Sequence, residues 1–278
     1  MKKKVIISIV CFLLVTFVAL YIYRVSKYVQ AKNLCEQIKA GENISENAEN
    51  HLTAPFIYAL ILDGEFDIIK PEIPLEQACY YRNLQAVEVL LKNGANPNFF
   101  FDGHFSPLEA ALVHGGETEE WVAIIKLLLE YGADINRYGS YPFIDFLCNR
   151  IMSEDRPLVE EVLMYILEKK LNEITMDDCI IIMRDASSGG YTDIISYLLN
   201  HTDIDINVLV TKKGHTALIY TICSIFNQPE TKLKMTKWLI EHGADVNIKD
   251  NNGKTAYDYA VDRGDENLIV LLSSYMDL

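Results

Sequence analysis

The hydrophobic positions of the chain fall into two patterns, a continuous run near the start and short helical patterns after it. Residues 5–23 contain no charged side chain. From residue 53 onward, apolar residues recur three or four positions apart, in short segments that are followed by polar turns. This spacing predicts pairs of short amphipathic helices. Such a pair cannot bury its apolar faces alone, so the pattern predicts a stack in which neighbouring pairs cover one another.

One helix end and the turn after it recur along the chain. Three copies contain Gly-Ala followed by Asn or Asp, and all four end in Asn. The copies are LLKNGANPN at 90–98, LLEYGADIN at 128–136, LLNHTDIDIN at 198–207 and LIEHGADVN at 239–247. Gly can adopt the left-handed conformation that ends a helix, and Asp and Asn bond turning backbone. We interpret these residues as architectural.

The helix starts recur as well. Thr255, which follows the last turn, is a good N-cap residue, and the segments at 74–78, 106–111 and 216–218 begin in a similar way. Together, these helix starts and ends resemble the ankyrin repeat. The resemblance implies an all-α solenoid of about 6–7 repeats, which binds proteins through its concave helix faces and its fingers, the loops between repeats.

The resemblance varies along the chain. It is strong at 74–136 and 212–272 and weaker at 139–207, where the apolar spacing persists but most of the signature is lost. We therefore expect a degenerate repeat near 139–172. Residues 53–73 resemble a truncated first unit.

The uncharged run at 5–23 has the length of a membrane-spanning helix. Nineteen residues reach about 28 Å, close to the hydrocarbon thickness of a bilayer. Its end, Val18-Ala19-Leu20-Tyr21-Ile22-Tyr23, is too bulky for a signal-peptidase site. An uncleaved anchor is therefore favoured over a cleaved signal peptide or a buried soluble helix. The expected organisation is a basic tail at 1–4, a transmembrane anchor at 5–23, a linker and helix at 24–52, and a repeat domain at 53–278.

Charge differs sharply between the two parts of the chain. The first 32 residues carry six Lys or Arg and no acid, whereas residues 33–278 carry 19 Lys or Arg against 39 Asp or Glu. An acidic domain is repelled by phosphate backbones, which argues against nucleic acid. It favours a protein partner that is basic or has a basic patch. The basic tail favours a bacterial inner-membrane protein with its repeat domain in the periplasm.

Candidate chemistry is sparse. The six histidines lie in different units, and the five cysteines outside the apolar run lack metal-ligand spacing, so buried inert thiols are expected. The stretch DNNGK at 250–254 lacks the further ligands of a calcium loop and the glycine spacing of a phosphate loop. The sequence therefore predicts no catalytic residue, no metal and no cofactor.

The loops that depart most from the repeat pattern are aromatic. Two successive fingers, 99–105 and 137–142, carry aromatic residues where the last repeat is polar. Exposed aromatics dominate the energetics of protein interfaces, although some of these rings could instead pack between repeats. The predicted protein-binding residues are Phe99, Phe100, Phe101, Asp102, His104, Tyr138 and Tyr141.

These features predict a non-enzymatic protein-binding module tethered to a membrane. A periplasmic inhibitor, such as an immunity protein that neutralises an envelope-active toxin, suits an acidic, anchored repeat domain. One alternative is a membrane-tethered scaffold or regulator of a resident enzyme. Another, from a different class, is a ligand sensor or enzyme that uses a groove at 99–145.

Overall fold

A computed structural model describes most of the repeat region and part of the N-terminal region. The described residues are 15–19, 23, 26, 29–46, 74–99, 105–113, 118–136, 143–149, 156–224 and 228–276. They are helices joined by turns, and the pairing of extended backbone among them is limited to an isolated antiparallel bridge between Leu209 and Thr216. The all-α class predicted from the sequence is confirmed.

The helices of the described residues follow one another as successive pairs after an N-terminal helix. We label them α1 (29–39), α2 (Pro74–Tyr80), α3 (Leu84–Lys92), α4 (Pro107–Val113), α5 (Glu119–Glu130), α6 (Phe143–Asn149), α7 (Arg156–Lys170), α8 (Met176–Gly189), α9 (Thr192–His201), α10 (Ala217–Cys223), α11 (Pro229–Glu241), α12 (Ala256–Arg263) and α13 (Glu266–Met276). A 3-10 turn, Leu171–Glu173, follows α7. The pair α6 and α7 occupies the region where a degenerate repeat was expected.

The chain divides into two compact units. The first comprises residues 1–115 and 123–134, and within it α2 packs against both α3 and α4. The second comprises residues 116–122 and 135–278. In this second unit α6, α8, α10 and α12 form a row of inner helices, each in contact with the next. The outer helices α7, α9, α11 and α13 pack against them.

Short capping motifs fix where the inner helices begin. The N–H of Asp258 donates to Oγ1 of Thr255 at 3.3 Å, and the N–H of Thr255 donates to Oδ2 of Asp258 at 2.8 Å. Thr216 accepts from the N–H of Ile219 at 3.3 Å in the same way. Each cap satisfies backbone donors that the first helical turn leaves unpaired. The role predicted for Thr255 is confirmed.

The repeating turns contain the expected left-handed glycine and an additional contact. Gly132 and Gly243 have φ values of 86° and 99°. The carboxamide of Asn98 donates to the carbonyl of Gly132 at 2.8 Å and accepts from the N–H of Asp134 at 2.7 Å. The terminal Asn of this turn therefore bonds to the following turn, as well as lying in its own.

Helix α8 differs from the other members of its row in length. It has 14 residues, whereas α6 and α10 have 7 each and α12 has 8. At about 1.5 Å per residue it is about 21 Å long, roughly 10 Å longer than its neighbours. Residues 174 and 175 alone separate it from the preceding 3-10 turn. A helix extension thus stands where the later repeats have a finger.

The cysteines of the described repeats are mostly buried. Cys79, Cys148 and Cys179 are buried, and burial raises the pKa of each thiol. A raised pKa keeps a thiol protonated and weakly nucleophilic. These side chains act as small core residues, as predicted.

The N-terminal region agrees only in part with the predicted organisation. Among the described residues, no helix combines the length and the apolar character needed to cross a bilayer. The structure therefore gives no support for the anchor predicted at 5–23, most of which lies outside the described residues. The truncated unit predicted at 53–73 also lies outside them. Residues 42–46, expected within a linker, are bonded to side chains at both ends of α3.

Candidate functional site

Two fingers of the second unit are described in full, and each is closed by its own backbone. We call residues 207–216 finger A and residues 247–255 finger B. In finger A, the N–H of Val210 donates to the carbonyl of His215 at 2.8 Å. In finger B, the N–H of Asp250 donates to the carbonyl of Lys254 at 2.9 Å. Both fingers are therefore ordered hairpin-like turns.

The carboxylate of Asp250 organises finger B from within. Its Oδ1 accepts from the backbone N–H groups of Asn252 and Lys254 at 2.8 and 2.9 Å, and its Oδ2 accepts from the Tyr259 hydroxyl at 2.6 Å. These hydrogen bonds, foremost that from Tyr259, lower the pKa of Asp250 to about 2. An ionised carboxylate thus joins the loop to α12.

Fingers A and B are bonded to each other through Asn251. Its backbone N–H donates to the carbonyl of Lys213 at 3.0 Å, and its side-chain Nδ2 donates to the carbonyl of Lys212 at 3.0 Å. Gly214 makes this approach possible, since a Cβ at that position would lie 2.5 Å from Oδ1 of Asn251. The two fingers consequently behave as one braced surface.

The braced surface exposes one large apolar side chain and several cations. Leu209 is 52% exposed, and Lys212, Lys213 and Lys249 are also exposed. No carboxylate in the described part of the chain forms an ion pair with these three lysines. The neighbouring Lys254 differs, because it is paired with Asp262. The finger pair is thus locally basic and partly apolar, although the repeat region as a whole is acidic.

A second polar cluster spans three inner helices of the same unit. Arg184 on α8 donates to both carboxylate oxygens of Asp185, at 2.7 Å each, and its Nη2 lies 3.4 Å from Oδ1 of Asp145 on α6. The bond to Asp185 is the main reason that the pKa of Arg184 is raised. Burial, followed by the negative charge of Asp185, raises the pKa of Tyr220 on α10.

This cluster places a charge pair and a phenol on consecutive members of the inner row. Ion pairs of this geometry bind planar or charged groups of a ligand, but they also fix helices to one another. No sequence pattern pointed to this cluster, because Asp145 and Arg184 are 39 residues apart. Aligning the inner helices of successive repeats would have brought these positions side by side.

The binding residues predicted from the sequence lie mostly outside the described residues. Phe99 is the exception, and it is 7% exposed. A ring that is so well covered contributes to the core of the first unit and is not available to a partner. The others, at 100, 101, 102, 104, 138 and 141, are untested and remain a prediction.

The described residues contain no group of three or more His, Cys, Asp or Glu side chains placed to hold a metal ion. A histidine and a carboxylate that could suit catalysis, His215 and Asp250, do lie close together among the described residues, with Nε2 and Oδ2 3.5 Å apart. Burial lowers the pKa of His215. Asp250 is already occupied by the finger B backbone and Tyr259, so the pair has a structural role in the turn.

Comparisons with known proteins agree with this geometry. Models of ankyrin repeats match residues 150–250 and 182–278, and a single ankyrin repeat matches residues 72–100. The putative ankyrin repeat protein YahD of Escherichia coli strain K12 is 30% identical over 151 residues, which cover 54% of this chain and 72% of that protein. The putative ankyrin repeat protein FPV115 of Fowlpox virus is 33% identical, over 68% of this chain and 41% of that protein.

Solved structures show the same fold. EF0377, an ankyrin repeat protein, superposes with a TM-score of 0.54 at 26% identity, covering 72% of this chain and 96% of that one. The ankyrin repeat domain of Bcl-3, a member of the IkappaB family, superposes with a TM-score of 0.55 at 20% identity, covering 74% and 87%. The chain therefore belongs to the ankyrin repeat family. This family consists of helical solenoids that serve as protein-interaction modules.

Proposed function

We propose that this chain is a non-enzymatic protein-binding module and that fingers A and B are part of its contact surface. The proposal rests on one combination of features: hydrogen bonds hold the two fingers in place, and the fingers expose an apolar side chain and several lysines to solvent. Asn251 and Asp250 hold the two fingers in place, while Leu209 and three lysines face solvent, and no described carboxylate pairs with these lysines. Loops that are ordered before binding lose little conformational entropy when a partner arrives, so such a surface binds efficiently.

The charge distribution suggests how the domain attracts and orients a partner protein. Residues 33–278 carry 39 acidic against 19 basic side chains, which would steer a basic protein toward the domain. The finger pair has the opposite local sign and would face an apolar or acidic part of the same partner. The aromatic fingers at 99–105 and 137–142 remain a second proposed contact.

We also propose that residues 5–23 tether the module to a bacterial inner membrane, with the repeats in the periplasm. The support is an uncharged apolar run behind Lys2, Lys3 and Lys4. Phe17 and Val18, within this run, are exposed, a state that favours lipid over water. A tethered, acidic binding module suits an inhibitor or immunity protein that neutralises an envelope-active toxin. A scaffold or regulator of a resident enzyme is the competing role.

The binding proposal is tested by recovering the partner of the full-length protein from its native cells after cross-linking. We compare the wild type with Leu209→Asp and with Val270→Asp, a matched change at a 69% exposed apolar residue on α13. The partner should be lost with Leu209→Asp and retained with Val270→Asp. A toxin as the recovered partner supports the immunity role, whereas a resident envelope complex refutes it. Equal recovery with both variants would remove finger A from the contact surface.

The tether is tested by alkaline carbonate extraction of membranes from cells that make the full chain. The wild type should stay in the pellet, and Phe17→Glu/Val18→Glu should be released, because charges within a span are costly in lipid. Release of the wild type would rule out the anchor without affecting the binding proposal.

A further inference from the structure

A short segment of the N-terminal region is bound along α3 by three carboxamide side chains. The N–H of Ile44 donates to Oε1 of Gln85 at 2.9 Å, and Nε2 of Gln85 donates to the carbonyl of Ile44 at 3.1 Å. Asn83 donates to the carbonyl of Glu42 at 2.9 Å, and Asn93 donates to the carbonyl of Glu46 at 2.8 Å. The segment is thus held at both ends and at its centre.

These four hydrogen bonds follow the geometry of an extended chain. They reach the backbone of residues 42, 44 and 46, and alternate residues of an extended chain share one edge. Gln85 both accepts from and donates to the backbone of Ile44, as a neighbouring β-strand residue does. The side chains of Glu42 and Glu46 take no part in these bonds. The carboxamides therefore recognise the main chain, whatever its sequence at these positions.

The central residue adds an apolar requirement. Ile44 is 4% exposed, whereas Asn43 and Ser45 on either side of it are exposed. Burial of this isoleucine side chain removes apolar surface from water and so stabilises the bound segment. The combined preference is for an extended segment with an aliphatic residue at its centre.

We propose that Asn83, Gln85 and Asn93 form a binding site for an extended peptide with a central aliphatic residue, and that residues 42–46 occupy it as an internal ligand. Peptide recognition through an extended main chain is a recurrent mode of protein binding, usually at the edge of a sheet. Here Gln85 of α3 and the two residues that cap this helix, Asn83 and Asn93, supply the donors and the acceptor. The inference is independent of fingers A and B.

Because residues 42–46 of the same chain occupy the site, a free peptide must compete with them to bind. A segment that belongs to the same chain as its site has a far higher effective concentration than a dilute free peptide, on the order of millimolar for a flexible connection and falling as the connection lengthens. A free peptide that makes the same contacts is therefore excluded until residues 42–46 leave. A partner that offers a better central side chain, or that draws the N-terminal region away, opens the site.

Amide hydrogen exchange of the full chain tests the contacts. The Ile44 amide should exchange at least tenfold faster in Gln85→Ala than in the wild type. The matched control is Glu88→Ala on the same helix, whose side chain pairs with Lys92 and should leave the rate unchanged. Equal exchange in Gln85→Ala and wild type would overturn the proposal.

A labelled peptide of sequence GENISEN, added to the full chain, tests competition by fluorescence anisotropy. Ile44→Asp should release the internal segment and bind the peptide at least tenfold more tightly than the wild type. Ile44→Asp/Gln85→Ala should lose this gain, with circular dichroism confirming that both variants are folded. Absence of peptide binding by folded Ile44→Asp would overturn the proposal, as would equal binding by the wild type. If Ile44→Asp is unfolded, Gln85→Ala in the exchange experiment decides.

Discussion

The carboxamide of Asn207 accepts a hydrogen bond from the backbone N–H of Asp245, 38 residues further along the chain, at 2.8 Å. The same carboxamide donates to the carbonyl of Gly243 at 3.2 Å. A side chain at the end of one repeat thereby satisfies the backbone of the next, and its contribution to stability can be measured.

Replacing Asn207 by Ala should lower the free energy of unfolding by about 1–2 kcal/mol, since two hydrogen bonds to the next turn are lost. Asn247 stands at the same place in the final turn and is the matched control. Asn247→Ala should change stability by less than about 0.5 kcal/mol. Urea denaturation followed by circular dichroism measures both free energies of unfolding. Equal losses in the two variants would show that the hydrogen bonds between turns do not stabilise the fold.

Acid should weaken the second unit through Asp250. Its pKa is lowered to about 2 in the folded protein, from an ordinary value of 3.8. A lowered folded pKa stabilises the fold above the unfolded pKa, and this stability is lost as pH falls from about 4 toward 2. Tyr259→Phe removes the main cause of the shift, so the wild type should lose more stability than the variant across this window. Parallel pH profiles of the unfolding free energy would contradict the role given to the Tyr259 hydroxyl.

Gly214 should tolerate alanine less well than Gly253 does. Both have positive φ values, 79° and 76°, so alanine should cost about 1–2 kcal/mol at either position. At Gly214 the new Cβ would also meet Asn251 at 2.5 Å, whereas at Gly253 nothing lies within 4 Å. Thermal unfolding of the two variants measures the difference. Equal destabilisation would mean that the close approach of fingers A and B at Gly214 does not contribute to stability.

Substitution of Arg184 should lower the stability of the protein more than substitution of Asp145. Arg184→Met leaves the buried carboxylate of Asp185 without its two hydrogen bonds from Arg184 and should cost about 2–3 kcal/mol. This is less than for a fully buried pair, since Arg184 is partly exposed. Asp145→Asn alters only a 3.4 Å contact between half-exposed groups and should cost less than about 1 kcal/mol. Denaturant unfolding of both variants checks the order, and the reverse order would assign the stabilising contact to Asp145.

The repeat architecture could be predicted from the sequence because its signals are local. The left-handed Gly132 and Gly243 and the cap at Thr255 each depend on neighbours within a few residues. Phe99 shows the limit of such reasoning. An aromatic residue in a finger suits either a partner or the core, and only the packing around it decides.

The contacts of greatest functional interest join residues that are far apart in the sequence. Gln85 and Ile44 are 41 positions apart, and Asn251 and Lys212 are 39 apart. Carboxamides and lysines at exposed helix and loop positions have no pattern that distinguishes a contact from simple solvation. Such contacts emerge only when the repeats are stacked.

The extended length of α8 also constrains any protein that lies along the inner row of the second unit. In its first turn, Met176 and Asp177 are exposed, whereas Asp178 and Cys179 are buried. The additional length of α8, seven residues more than α6 or α10, corresponds to about 10 Å, or two helical turns. A protein that contacts all three helices would have to accommodate this difference. For a rigid partner, the length of α8 would therefore be a shape requirement in addition to any side-chain contact.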